Sequence, residues 1–226
     1  MADETKRWCF AWFKDKAPTD GNERAALVKD SKWQKGDEIR ISFLDGTDEQ
    51  KALVRRFAAE WIAPGMADLT FSWVPTGGDI RISFKYEGSW SVIGTTCRQV
   101  PKGEPTMNFG WLTPGISDDE ARAVILHEFG HALGLIHEHQ NPDQPIKWNK
   151  PVVIEDLSGP PNNWDEATIE HNMFETYPPN EIAGTKLDKN SIMMYPIPES
   201  WTIGGFSVGF NSKLSEEDKR FIKKQY

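Results

Sequence analysis

Residues 127–137 read His127-Glu128-Phe129-Gly130-His131-Ala132-Leu133-Gly134-Leu135-Ile136-His137, so three of the chain's five histidines fall within eleven positions. His127 and His131 are four apart, and on a helix they lie one turn above each other and project to the same side. The helix is well signalled. Ser117 and Glu120 form a capping box, and Asp118 and Asp119 add acidic charge where the helix N-terminus is positive. Ala121, Val124, Ile125, Phe129, Ala132 and Leu133 then follow at helical apolar spacing, which predicts a helix packed into a core. Gly134 can take the left-handed conformation that ends a helix, and the reversal returns His137 towards the first two histidines.

Three neutral imidazoles hold a tetrahedral zinc and leave its fourth position open to water, the arrangement of a catalytic site. Such a zinc lowers the pKa of its water to about 7. Glu128 lies about 100° round the helix from His127, so it flanks the metal and does not ligate it. There it can take the water's proton and pass it to a departing amine. Two plainer readings exist: a structural zinc site, or histidines satisfied within a core. Structural sites prefer four protein ligands, usually with cysteine, and have no use for a glutamate beside the first histidine.

The pattern H-E-x-x-H-x-x-G-x-x-H is the zinc motif of the metzincins. Further on, residues 191–195 read Ser-Ile-Met-Met-Tyr, and with them the chain resembles the astacin group of that clan, which carries a Ser-x-Met-x-Tyr turn below the metal. The resemblance runs from about Trp33 to Tyr226, with gaps. It implies an α+β fold: a twisted, mostly parallel sheet with an antiparallel edge strand and the active-site helix in an upper lobe, and an irregular lower lobe with a C-terminal helix. It makes zinc the cofactor, with ligands His127, His131, His137 and Tyr195. Met193 becomes the apolar floor under the histidines, with Met194 as the choice if the register slips by one. Tyr195 becomes a catalytic phenol that swings off the metal to donate to the oxyanion, as a neutral group of pKa ≈ 10 can. Glu138 is implied to lie under the site and contact the mature N-terminus. Residues Met107, Asn108, Phe109, Gly110 and Trp111 fall where metzincins place the edge strand over the cleft, which would bind an extended peptide by strand addition. Gly88-Ser89-Trp90-Ser91-Val92-Ile93-Gly94 resembles a loop of the family that has cysteine where Ser89 stands, and His139-Gln140-Asn141-Pro142-Asp143 departs from the arginine-bearing family pattern.

At 226 residues with 38% hydrophobic content, 10 Trp and 12 Phe, the chain can build a core. A net charge of −8 argues against nucleic acid and anionic membranes as partners. No apolar run reaches the ~18 residues of a membrane span. The N-terminus Met1-Ala2-Asp3-Glu4 is charged with no apolar stretch following, so no secretory signal is visible, although the resemblance is to secreted enzymes. The two cysteines, Cys9 and Cys97, allow one bridge or simple packing; alternatively Cys9 could ligate zinc as a latency switch.

Residues 1–32 read as an N-terminal extension or pro-like segment, and 33–226 as a metallopeptidase domain with an upper lobe of about 33–137 and a lower lobe of about 138–226. Strand alternation marks Ile39-Ile41-Phe43, Leu69-Phe71-Trp73, Ile80-Ile82-Phe84 and Met107-Phe109-Trp111. A helix opens at Thr47 with Gln50 as capping partner and stops at Pro64-Gly65. Prolines break up 140–190, leaving a short helical stretch near Ala167–Phe174, and a last helix starts at Ser215. His171 is expected to be structural and His139 to sit at the surface or behind the ligands. The expected function is that of a monomeric zinc-dependent endopeptidase acting on protein or peptide. The rivals are a zinc amidase on a small or cell-wall substrate and a catalytically silent binding module.

Overall fold

The period-two alternation around Ile39, Phe71 and Ile80 becomes strand, because successive side chains on a pleat face opposite sides. The computed structural model describes residues 10–12, 31–140, 146–160, 162–176 and 187–226. Among these, β1 (Phe10–Trp12), β2 (Glu38–Phe43), β3 (Thr70–Trp73), β4 (Ile80–Ser83), β5 (Ser89–Val92) and β6 (Met107–Phe109) form one sheet in the order β1-β5-β6-β4-β2-β3. Only the β5–β6 pair is antiparallel.

That register corrects the edge-strand expectation. Met107 lies opposite both Ile82 of β4 and Ser91 of β5, and Asn108 opposite Ser83 and Trp90, so β6 is an interior strand with both edges paired. The antiparallel strand is β5, and β1 pairs parallel to its other edge. Alternating Ser89 and Ser91 read as loop in sequence, yet both are buried.

Helix α1 (Asp48–Ala58) carries the Thr47–Gln50 capping box, with a 3-10 turn at Ala59–Ile62 before Pro64. Helix α2 (Asp118–Ala132) carries the Ser117–Glu120 box and packs against α1, β5 and β6. Its end is a Schellman motif: Leu135 N–H donates to Gly130 O at 2.9 Å, Gly134 N–H donates to His131 O at 2.8 Å, and Gly134 sits at φ 89°. Two aromatic side chains satisfy carbonyls that any helix end leaves open. Trp33 Nε1–H donates to Ala132 O at 2.8 Å, and Tyr226 Oη–H donates to Leu133 O at 2.6 Å.

The lower lobe is less irregular than its prolines suggest. Helix α3 (Lys150–Ser158) has Pro151 in its first turn, where a missing N–H leaves nothing unpaired. Helix α4 (Glu166–Ile169) continues as a π-helical turn over Glu170–Phe174, and α5 (Glu216–Gln225) starts at the Ser215 cap. Two cores result. The upper one lies between the sheet, α1 and α2; the lower one gathers Val153, Leu157, Ile169, Met173 and Trp201. The 191–195 turn crosses from one to the other, since Ile192 and Met193 belong to the upper core and Met194 and Tyr195 to the lower.

Candidate metal centre

Helical spacing sets His127 and His131 on one side of α2, and the glycine turn returns His137 to them. One ring nitrogen from each lies within 4.8 Å of the other two, and among the described residues this is the one such group of metal-binding type. Backbone carbonyls set the tautomers. His127 Nδ1–H donates to Ile192 O at 2.7 Å and His131 Nδ1–H donates to Leu135 O at 2.9 Å, so each Nε2 carries a lone pair. His131 Nε2 faces His137 Nε2 at 3.1 Å, and His127 Nε2 is buried with no protein partner. Zn–N bonds of about 2.0–2.1 Å put tetrahedral ligands about 3.3 Å apart, so this spacing fits zinc.

Burial depresses the basicity of all three rings. It pushes His127 down to about 4, and His131 and His137 well below their usual value, with the neighbouring imidazoles adding to the effect. The rings are therefore neutral, the state in which imidazole binds metal.

Glu128 is fully buried beside His127. The Tyr195 ring, 3% exposed, lies 4.3 Å from the His137 ring and 5.9 Å from that of His127, nearly parallel to the latter. Met193 lies against α2 at Gly130, where a Cβ would come within 2.3 Å of its sulfur. The close approach needs glycine, and it selects Met193 over Met194 as the residue packed on the helix. Glu138 N–H donates to Met193 O at 3.0 Å, and its carboxylate accepts from Asp188 N–H at 2.9 Å, so that carboxylate holds a backbone amide within the lower lobe.

The five residues expected to bind substrate do other work. Met107 and Phe109 are fully buried core. Asn108 clamps the turn before β5, its amide donating to Tyr86 O at 2.9 Å and Gly88 O at 2.6 Å. Gly110 N–H donates to Gly88 O at 2.9 Å, and Trp111 packs on the lower core. With both edges of β6 taken, it has no main-chain groups to offer a peptide.

His139 is buried, not at the surface: its Nε2–H donates to Asn172 O at 2.8 Å, and its ring stacks 4.9 Å from Tyr195. His171 bonds Glu175 at 2.7 Å. Asp218, in the first turn of the helix that starts at Ser215, accepts from Ser191 Oγ–H at 2.7 Å and Ile192 N–H at 2.8 Å. Nothing local signals that contact, which joins positions 26 residues apart or more. Among the described residues Cys97 is a free, buried thiol, and desolvation pushes its pKa up to about 12, which disfavours the thiolate. Cys9, with the latency idea attached to it, and Asn141–Asp143 lie outside the described residues.

Residues 27–202 match the sequence model of the astacin family of peptidases. The chain belongs to the astacin family. A solved structure of myroilysin is 41% identical with a TM-score of 0.83, covering 87% of this chain and 96% of that one. A second myroilysin structure, at 36% identity and a TM-score of 0.70, covers 99% and 92%. High choriolytic enzyme 1 of Oryzias latipes, a hatching enzyme zinc-protease, shares the fold at 19% identity and a TM-score of 0.58 over 86% and 93% of the two chains. The zinc metalloproteinase nas-23 of Caenorhabditis elegans is 30% identical over 129 residues, 57% of this chain and 21% of that protein. The match thus spans about a fifth of that curated relative's length. Within this astacin-family chain, the resemblance carried by His127–His137 and Ser191–Tyr195 is borne out, and the three-histidine group can hold one zinc ion.

Proposed function

We propose that this astacin-family chain is a zinc-dependent endopeptidase. The observation that carries the reading is the trio of buried imidazoles, one ring nitrogen of each within 4.8 Å of the other two, with a fully buried glutamate on the adjoining helix position. Zinc held by His127, His131 and His137 would supply an acidified water and would polarise a substrate carbonyl. Glu128 takes the water's proton and returns it to the departing amine, a transfer for which burial in the site suits a carboxylate. Tyr195, stacked beside the ligands, donates its phenol to the oxyanion that develops on the scissile carbonyl. Met193 and Glu138 fix the floor and the segment after the third ligand.

Residues 1–32 act as a pro-like segment. Within it, β1 lies parallel along the β5 edge, where an extended peptide would otherwise add as a strand. Ser31 is fully buried and its carbonyl accepts from Thr95 N–H at 2.7 Å, so the chain just before Trp33 is packed on the catalytic unit. The substrate is a protein or peptide, and among the described residues no helix is long and apolar enough to cross a membrane.

Digestion of a proteome-derived peptide library, read by mass spectrometry, tests the reading. Cuts within peptides should appear, vanish with a chelator, and fall by about 10³-fold or more in Glu128→Gln while zinc is retained. Chelator-resistant cleavage, or Glu128→Gln cutting at the parent rate, would contradict it.

A further inference from the structure

The Nδ1–H of His127 ends on Ile192 O, and the same peptide group continues outward from its other side. Its N–H, that of Met193, donates to Ser191 Oγ at 3.0 Å. Ser191 Oγ–H in turn donates to Asp218 Oδ1 at 2.7 Å. Every link, from imidazole to peptide to hydroxyl to carboxylate, donates in the same direction. Chains of this kind polarise cooperatively when water is excluded. Here Ser191, Ile192, Met193 and Asp218 are all less than a tenth exposed.

We propose that Ser191 and Asp218 are positioning residues for the first zinc ligand, acting through the 192–193 peptide as an extended carboxylate–histidine–metal relay. A carboxylate or carbonyl on the far nitrogen of a metal-bound histidine orients the ring and raises its basicity, and losing such a partner typically costs 10–100-fold in metal affinity. Here the carbonyl makes that contact and the carboxylate lies two hydrogen bonds further out. The Asp218 carboxylate is set for the part. Its Oδ2 accepts from Ile192 N–H at 2.8 Å and Ser215 N–H at 2.9 Å, so all its partners are donors, as the ionised form requires. Burial raises the pKa of this carboxyl, and the same donors oppose that rise. The relay gives the serine of the 191–195 turn a chemical task, and it gives α5 a task beyond packing.

The inference rests on the metal-site reading, and zinc affinity measured by chelator competition separates the two. Ser191→Ala removes one hydroxyl without touching α5. Asp218→Asn keeps the shape of the side chain and removes its charge. Each should weaken zinc binding by about 10–100-fold. Because both act through one chain, the double variant should bind no more weakly than the weaker single variant, whereas independent packing roles would multiply. Thr47→Ala removes the α1 cap, which shares no hydrogen bond with the relay, and serves as the comparator: it should lower the unfolding midpoint and leave zinc affinity unchanged. Parent-like zinc affinity in Ser191→Ala, or multiplying losses, overturns the relay, and Ser191→Ala alone decides if Asp218→Asn fails to fold. If the parent chain itself takes up no zinc, the metal-site reading fails, and the relay with it.

Discussion

At Gly130 the zinc helix has no side chain, and Met193 sulfur fills the space that a Cβ would occupy, 2.3 Å from its ideal position. The motif leaves this position free, yet the packing does not. Gly130→Ala requires the Met193 thioether to shift, next to Ile192, whose carbonyl orients His127. Overpacking of this kind costs about 1–3 kcal/mol. Equilibrium denaturation should show that loss, and an unchanged midpoint would mean the turn is not packed as described. At this scale the sequence is legible where function depends on spacing. His127, Glu128, His131 and His137 can be read directly, because helix geometry converts four-residue spacing into a common face. Asn108 and Asp218 could not be read so, because their partners, Tyr86, Gly88, Ser191 and Ile192, are brought to them only by the fold.

Among the elements, helices announced by capping boxes at Thr47 and Ser117 and by the N-cap at Ser215 form where those signals place them. Two other elements, α3 and β5, are hard to read from sequence for different reasons. In α3, Pro151 reads as a breaker, although in the first turn it is a helix starter, and the β-branched run Val152-Val153-Ile154 mimics a strand. In β5, small buried serines carry none of the apolar alternation that marks a strand, so the antiparallel role fell to the more apolar β6. The C-terminal helix is tied to the site at both ends, by Asp218 at the 191–195 turn and by Tyr226 at the end of α2. Tyr226→Phe would leave the buried Leu133 carbonyl without its 2.6 Å donor. That should cost about 1–3 kcal/mol in unfolding free energy by denaturant titration. A neutral substitution would show that the helix end is solvated instead.

On the scale of the whole molecule, the metal site joins two cores. The upper one supplies α2, the lower one supplies Tyr195, and the 191–195 turn passes between them beneath the histidines. Burying so many imidazoles sets the acid response of the zinc-free protein. Burial lowers His127 and His139 to about 4 and His131 and His137 well below their usual value, whereas an unfolded chain protonates near 6.5. Folded pKa values below unfolded ones mean that the unfolded state binds the extra protons. Their contribution to stability is therefore complete above about pH 6.5 and is lost as pH falls towards 4. Thermal unfolding of chelator-treated protein should show a flat midpoint from about pH 8 to 7 and a steep decline below 6.5. A flat or rising midpoint across that lower window would contradict the burial of these rings as neutral groups.

Elemental analysis of natively purified protein, run beside a His131→Ala variant, bears most directly on the three-imidazole centre. The parent chain should carry one zinc per molecule and the variant little or none. A parent chain without stoichiometric metal, or a variant that keeps it, would contradict a site built from His127, His131 and His137.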